Sequence, residues 1–225
     1  MMECISVENM RLSDGHTIAN FVPSLELMHR AAYGVFLAHN WKGPVAIVCG
    51  SGNNGGDGFA LACILKEKGI ACRVFTLGSK LSPDSAFYAE KAASLAVPVD
   101  TFEAGCLTDC AEVVDCLLGT GFQGSVRENY RKAIEEINDC GAFVVSVDIN
   151  SGMNGDTGSC EIAVCSDLTV TIGYVKTGLV TENAGKYMKK LVCADIGIIL
   201  LKEEGKITEE NAPSWLDMDI IHAIL

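Results

Sequence analysis

The sequence contains no Cys-X-X-Cys pair and only four histidines, His16, His29, His39 and His222, although it has 11 cysteines. No cysteine–histidine group has zinc spacing, which argues against a structural zinc site. Cys49, Cys63, Cys72, Cys116 and Cys193 lie within apolar runs, where cysteine acts as a small hydrophobe. An odd count of such thiols points to a reducing cytosol rather than a disulfide scaffold. Positive charge is scarce as well. The 17 Lys and Arg stand against 29 Asp and Glu, a formal net charge of -12. That balance lacks the field that nucleic-acid phosphates and anionic membrane surfaces require, so neither partner is expected. No apolar run approaches the ~20 residues of a membrane span. Met1-Met2-Glu3-Cys4-Ile5 has no basic segment leading into an apolar one, so no signal peptide is expected. A cytoplasmic protein follows. Internal repeats and Pro/Gly-rich linkers are missing too, which predicts one domain over residues 1–225.

What is present is an ordinary globular mix, 49% apolar and 20% charged over 225 residues. Such a chain buries roughly 70% of its unfolded surface without a metal or disulfide staple. Short β-branched runs recur: 45–49, 72–77, 113–118, 143–147, 168–172, 191–194 and 198–200. Helical patterns fill the gaps at 25–40, 57–68, 82–95 and 130–139. Ser82-Pro83 reads as a helix opening, with a capping hydroxyl and Pro at the first helical position. Alternation of this kind predicts an α/β three-layer Rossmann-like sandwich, a mostly parallel central sheet with helices on both faces. The first forty residues read as an N-terminal helical extension. In this architecture ligands bind beyond the carboxyl ends of the strands, where strand order switches.

The loops after those strands are unusual. Gly50 to Gly58 holds five glycines in nine residues, together with Asn53, Asn54 and Asp57. Glycine allows positive φ and close approach to a ligand, and the helix start that follows favours phosphate. A capped strand-to-helix turn is the alternative. Gly50, Gly52 and Gly55 satisfy the GxGxxG spacing, but the acid expected about 20 residues on is missing from Leu77-Gly78-Ser79-Lys80. That weakens an NAD(P)-dependent oxidoreductase, although Lys80 is positioned to meet a 2′-phosphate. Asp115 lies in an apolar strand, where burial is costly unless the acid is paired or liganded. The glycine-rich stretch Gly119-Thr120-Gly121-Phe122-Gln123-Gly124-Ser125 follows it. Asp148 stands directly after another apolar strand, before Asn150-Ser151-Gly152. Lys176 is set among neutral residues, and a solvated surface lysine is its plain alternative.

Taken together, Gly50–Gly58, Gly119–Gly124, Val147–Gly152, Thr169–Gly178 and Ala194–Gly197 resemble the NAD(P)HX epimerase family, the YjeF N-terminal domain type. The string Asn53-Asn54-Gly55-Gly56-Asp57-Gly58 carries most of the likeness, and Ser13-Asp14 with Leu27-Met28 looks like the family's N-terminal helix motif. The resemblance implies a Rossmann-like fold, a homodimer, and exchange of the R and S epimers of NADHX and NADPHX, the hydrated reduced nicotinamide cofactors. It also implies a potassium ion held by Asn54, Asp115 and Ser151. Asn53, Asn54, Gly55, Gly56 and Asp57 would then contact the substrate, as would Gly119 to Ser125. Asp148 would touch the reacting ring and carry acid/base chemistry, with Lys176 as a second catalytic candidate. Asn150 stands where the family usually has Pro, so a looser loop around Asp148 is expected. At this length a fused dehydratase is not expected, which makes the NAD(P)HX dehydratase a separate protein. A non-catalytic nucleotide-binding or scaffold module of the same fold is the other alternative.

Overall fold

The computed structural model describes every residue except Ser79 and Leu225. The element order is β1 (Met2–Ile5), α1 (Val7–Asn20), α2 (Ser24–Leu37), β2 (Val45–Cys49), α3 (Asn53–Glu67), β3 (Cys72–Thr76), α4 (Pro83–Ser94), β4 (Val99–Thr101), β5 (Glu112–Cys116), α5 (Glu128–Asp139), β6 (Phe143–Val147), β7 (Leu168–Ile172), β8 (Val175–Lys176), β9 (Leu191–Asp195), β10 (Gly205–Ile207) and β11 (Leu216–His222). Among the described residues, eight strands form the central sheet in the order β11-β9-β7-β6-β5-β2-β3-β4, and every pairing in it is parallel. A small sheet, β10-β1-β8, stands beside it.

The alternation of side chains along β2 shows why both faces are covered. Val45, Ile47 and Cys49 face the core under α2, α3 and α4, while Ala46 and Val48 face the core under α5. A strand buried on both faces reads as a continuous apolar run. In α5 the buried positions Tyr130, Ala133, Ile134 and Ile137 make one helical stripe. The sandwich expected from the sequence is the observed architecture. Strand order reverses between β2 and β5, so their carboxyl ends open the crevice in which the candidate residues meet.

Three local expectations are corrected. Residues 198–200, read as a strand, pair with no strand. The N–H of Ile199 donates instead to Thr17 Oγ1 at 2.9 Å and that of Leu201 to Ser13 Oγ at 3.1 Å, so side chains of α1 take the place of a neighbouring strand. The helix expected to start at Asp57 starts at Asn53, because its glycines serve packing. The first forty residues hold β1 as well as two helices. Residues 203–225, in which no chemistry was read, supply β10 and β11. There Leu216 is buried, and Trp215 donates its indole N–H to Leu179 O at 3.1 Å. Ser79, part of the turn that lacks an acid, lies outside the described residues.

Candidate active site

The turn from β2 into α3 is shaped by close backbone approach. An added Cβ on Gly50 would lie 2.0 Å from Leu117 O, and one on Gly55 2.0 Å from Gly50 O. Gly56 packs on Met28 and Ser85, and Gly58 on Cys49 and Cys116. None of these glycines takes positive φ. The expectation of left-handed backbone in this loop is therefore replaced by one of contact, and Gly55 and Gly56 do not line the cavity. Gly52 caps α3 without a side-chain hydrogen bond. The first intrahelical N–H bond runs from Gly56 to Gly52 O, which leaves the amides of Asn53, Asn54 and Gly55 at an open helix end.

Below that helix end, Asp115 is fully buried. It accepts from Leu117 N at 3.2 Å, Ser146 Oγ at 2.9 Å, Ser151 N at 2.9 Å and Ser151 Oγ. Burial pushes its carboxyl up from the usual range, opposed by these hydrogen bonds. Asn54 turns its Nδ2 to Leu118 O at 3.1 Å, and Leu118 N donates to Ser151 Oγ at 2.9 Å. Asn54, Asp115 and Ser151 therefore converge on one short backbone segment. The Oδ1 of Asn54 is buried with no hydrogen-bond partner among the described residues. Leaving such an oxygen unsatisfied costs about 1–3 kcal/mol, which a cation would recover. One carboxylate among neutral oxygens suits a large, hard, singly charged ion.

Asp148 closes β6 in a tight turn. Ile149 N donates back to Val147 O at 2.9 Å, and Asp148 takes φ of 69°. A non-glycine residue held there stores on the order of 1–3 kcal/mol, a cost met most often at functional sites. Its Oδ1 accepts from the ammonium of Lys176, while its Oδ2 lies towards Gly119. Lys176 is 1% exposed, so it is no surface lysine. Its remaining donors go to Ile172 O at 2.6 Å and Thr171 Oγ1 at 3.2 Å, which commits all three protons to the protein.

Asn150 corrects the expectation of a loose loop. It is fully buried, and its Nδ2 donates to Val164 O, Ser166 Oγ and Tyr187 O at 2.9–3.0 Å. Its Oδ1 accepts from Thr169 Oγ1 at 2.7 Å. These bonds fasten the segment between Asp148 and Ser151 to β7 and the loops beside it. Asn150→Ala is expected to lower stability by about 2–3 kcal/mol, because several buried groups lose their partner at once. Urea unfolding followed by circular dichroism reads that loss, and an unchanged midpoint would remove Asn150 from this role.

Asn53, Asn54, Asp57, Gly119, Thr120, Gly121, Phe122, Gln123, Ser125 and Asp148 all line one cavity of about 660 Å³. Gly124 does not, taking φ of 84° at the loop's turn. Asp115 and Ser151 lie behind the cavity wall, and Lys176 lines an adjoining cavity of about 160 Å³. Arg11, Asp14, Asn53, Asp57, Thr120 and Asp148 border both spaces. Sequence reading assigned no site role to Arg11, Asp14 or Arg127, although Ser13-Asp14 resembles the family's N-terminal helix motif and was the signal for Asp14. Arg11 and Arg127 bring cationic groups of an acidic protein to the cavity lining. Asp57 is half-buried and its carboxyl is pushed well above the usual range, first by burial and then by the Asp148 and Asp14 charges. Burial likewise raises Asp14, with Lys176 opposing and Asp148 adding.

Comparison with known proteins sets this geometry in context. The family model described as YjeF-related protein N-terminus matches residues 24–178. The NAD(P)H-hydrate epimerase of Limosilactobacillus fermentum is 36% identical over 201 residues, which covers 86% of this chain and 96% of that protein. The Bifunctional NAD(P)H-hydrate repair enzyme Nnr of Methanothermobacter thermautotrophicus is 40% identical over 192 residues, 79% of this chain and 37% of that protein. Among solved structures, the yeast protein ynu0 (YNL200c) shares the fold with a TM-score of 0.73 at 21% identity, covering 91% of this chain and 97% of the yeast chain.

Proposed function

The chain belongs to the YjeF-related protein N-terminus family, and from that membership we infer that it is an NAD(P)H-hydrate epimerase, an isomerase that exchanges the R and S forms of hydrated NADH and NADPH. The observation that carries the reading is a single meeting point. Asp148, ion-paired with Lys176, shares one cavity with the open amino end of α3 and the loop from Gly119 to Ser125. An ordinary strand-to-helix turn needs none of the acids and carboxamides assembled there.

The chemistry follows from the substrate. Its ring carbon six bears a hydroxyl and is bonded to the ring nitrogen. The nitrogen lone pair expels the hydroxyl as water once an acid supplies a proton, leaving an iminium ion. Water then adds from the opposite face and gives its proton to a base. General acid–base assistance of this kind is worth about 10²–10⁴-fold, and a carboxylate beside the ring stabilises the developing cation. Asp148 is assigned to the ring, holding and moving the proton at its free Oδ2. Lys176 orients it, since its protons are already committed. The diphosphate is assigned to the open amino end of α3 at Asn53 and Asn54, with Arg11 and Arg127 supplying positive charge.

Asn54, Asp115 and Ser151 are the residues that would hold potassium, the unpartnered Asn54 Oδ1 being the support for this assignment. When bound, the ion supplies positive charge that offsets the phosphates of an anionic substrate. Replacing potassium by choline in the buffer is expected to raise KM for the hydrate several-fold. Asn54→Ala is expected to remove the difference between the two buffers. A KM indifferent to the cation in the parent protein would contradict the potassium assignment.

This reading carries a homodimer, a cytoplasmic location and a dehydratase acting on the same hydrates as the partner reaction. It is tested by following chromatographically a sample enriched in one NADHX epimer. The protein is expected to restore the equilibrium ratio far faster than buffer alone, and equal rates would reject the reading.

A further inference from the structure

Helix α1 carries two stripes with different jobs. One stripe, Asn9, Ser13 and Thr17, is buried. Asn9 Nδ2 donates to Lys202 O at 2.7 Å, and the hydroxyls of Ser13 and Thr17 accept from Leu201 N and Ile199 N. Val7 N donates to Asp156 Oδ1 at 2.7 Å. The helix is thereby fixed in rotation and along its axis by groups that are far apart in sequence. The second stripe, Arg11, Asp14, Gly15 and Ile18, follows helical spacing and faces the cavities. Gly15 lies in mid-helix, where glycine costs about 0.5–1 kcal/mol relative to alanine, yet an added Cβ there would meet nothing within 4 Å. Packing does not explain it, and Gly15 lies on the rim of the larger cavity.

Asp14 is the acid this stripe delivers. It borders both cavities, as Asp148 does, but from α1 rather than from the sheet. We propose that Asp14 is a second catalytic carboxyl of the epimer exchange, serving the C6 oxygen on one face of the ring while Asp148 serves the other. The proposal rests on the epimerase reading above.

The exchange needs two such groups. When the C6–O bond breaks, its electron pair leaves with the oxygen, and the proton from one carboxyl makes that oxygen water. The ring nitrogen lone pair fills the gap as the C=N bond of the iminium. A water oxygen then bonds to C6 from the other face, its proton passes to the second carboxylate, and the nitrogen lone pair is restored. Protons and electrons balance, and the reverse reaction exchanges the two roles. The surroundings of the two acids suit that division. Asp148 already carries the Lys176 ammonium on Oδ1. Asp14 is shifted towards its protonated form by burial, with the Lys176 charge opposing and the Asp148 charge adding. The other charged groups bordering the spaces that Asp14 borders are Lys176 on β8, Asp57 on α3, Asp84 on α4 and Arg127 before α5, with Arg11 on its own helix.

The test compares the parent protein with Asp14→Asn and Asp14→Glu in epimer exchange across pH, with NADH as a non-reacting ligand for binding. Asp14→Asn is expected to lower kcat about 100-fold while the Kd for NADH changes less than about threefold and the thermal midpoint is kept. Its kcat profile should lose the alkaline limb that reports deprotonation of the acid, and Asp14→Glu should recover part of both. Asp14→Asn with kcat within twofold of the parent would overturn the assignment. So would a loss confined to KM, or one that tracks a fallen thermal midpoint as in a Ser13→Ala control. A parent protein without epimer exchange would instead overturn the functional reading, and the assignment with it.

Discussion

Asp148→Asn is expected to slow epimer exchange by about 10²–10⁴-fold, the span that one acid–base group supplies. Asparagine is among the few residues that accept φ of 69°, so the turn at the end of β6 is kept. The variant removes the charge that faces Lys176, and an uncompensated buried ammonium costs about 3–5 kcal/mol. The fold is retained at lower stability, and activity is read on protein shown to be folded by circular dichroism. Lys176→Met leaves the reciprocal defect. The double variant is therefore expected to be less destabilised than the sum of the two singles, as urea unfolding of all four proteins will read. Near-parent exchange in Asp148→Asn would remove Asp148 from the chemistry.

The second large effect is steric. Helix propensity alone predicts that Gly55→Ala gains about 1 kcal/mol, since Gly55 lies inside α3. The added Cβ would stand 2.0 Å from Gly50 O, a backbone atom with no rotamer in which to retreat. The expected net result is a loss of about 3 kcal/mol or more, at the upper end of overpacking costs. Gly50→Ala meets Leu117 O at the same 2.0 Å and is expected to fall equally. Gly52→Ala meets nothing within 4 Å and should leave the unfolding midpoint near its parent value. Equal midpoints for Gly52→Ala and Gly55→Ala would contradict the close approach of β2, α3 and the β5 loop.

Much of this was legible in the residues. The strands at 45–49, 143–147 and 168–172 have the bounds read from their apolar runs, because burial on both faces leaves an unbroken signal. Ser82 caps α4 with Pro83 in its first turn, as local chemistry predicts. The rule that ligands bind beyond strand carboxyl ends points to Asp115, Asp148 and Lys176 from the residues alone. What failed depended on distant partners. Residues 198–200 have the composition of a strand, but α1 intercepts their amides. The glycines after β2 signal a loop by composition, yet Gly55, Gly56 and Gly58 lie in α3, where neighbouring backbone at the first and side chains at the other two leave no room for a Cβ. Asp14 lies in the stretch that resembles the family's N-terminal helix motif, but nothing local places it or Arg11 at the site, since α1 reaches the cavity through contacts with residues 199–202 and Asp156. Asn150 reads as a weakening, and its four partners, Val164, Ser166, Thr169 and Tyr187, lie in segments no local reading connects.

The account's central claim is that this cavity exchanges the epimers by expelling and readmitting water. The most direct test supplies oxygen-18 water to an equilibrated mixture of the two NADHX epimers and follows the label on carbon six by mass spectrometry. The parent protein is expected to drive the label into the hydrate far faster than buffer alone, and Asp148→Asn to return that rate close to the uncatalysed one. Fast epimer exchange with the original oxygen retained, or labelling no faster than in buffer, would contradict it.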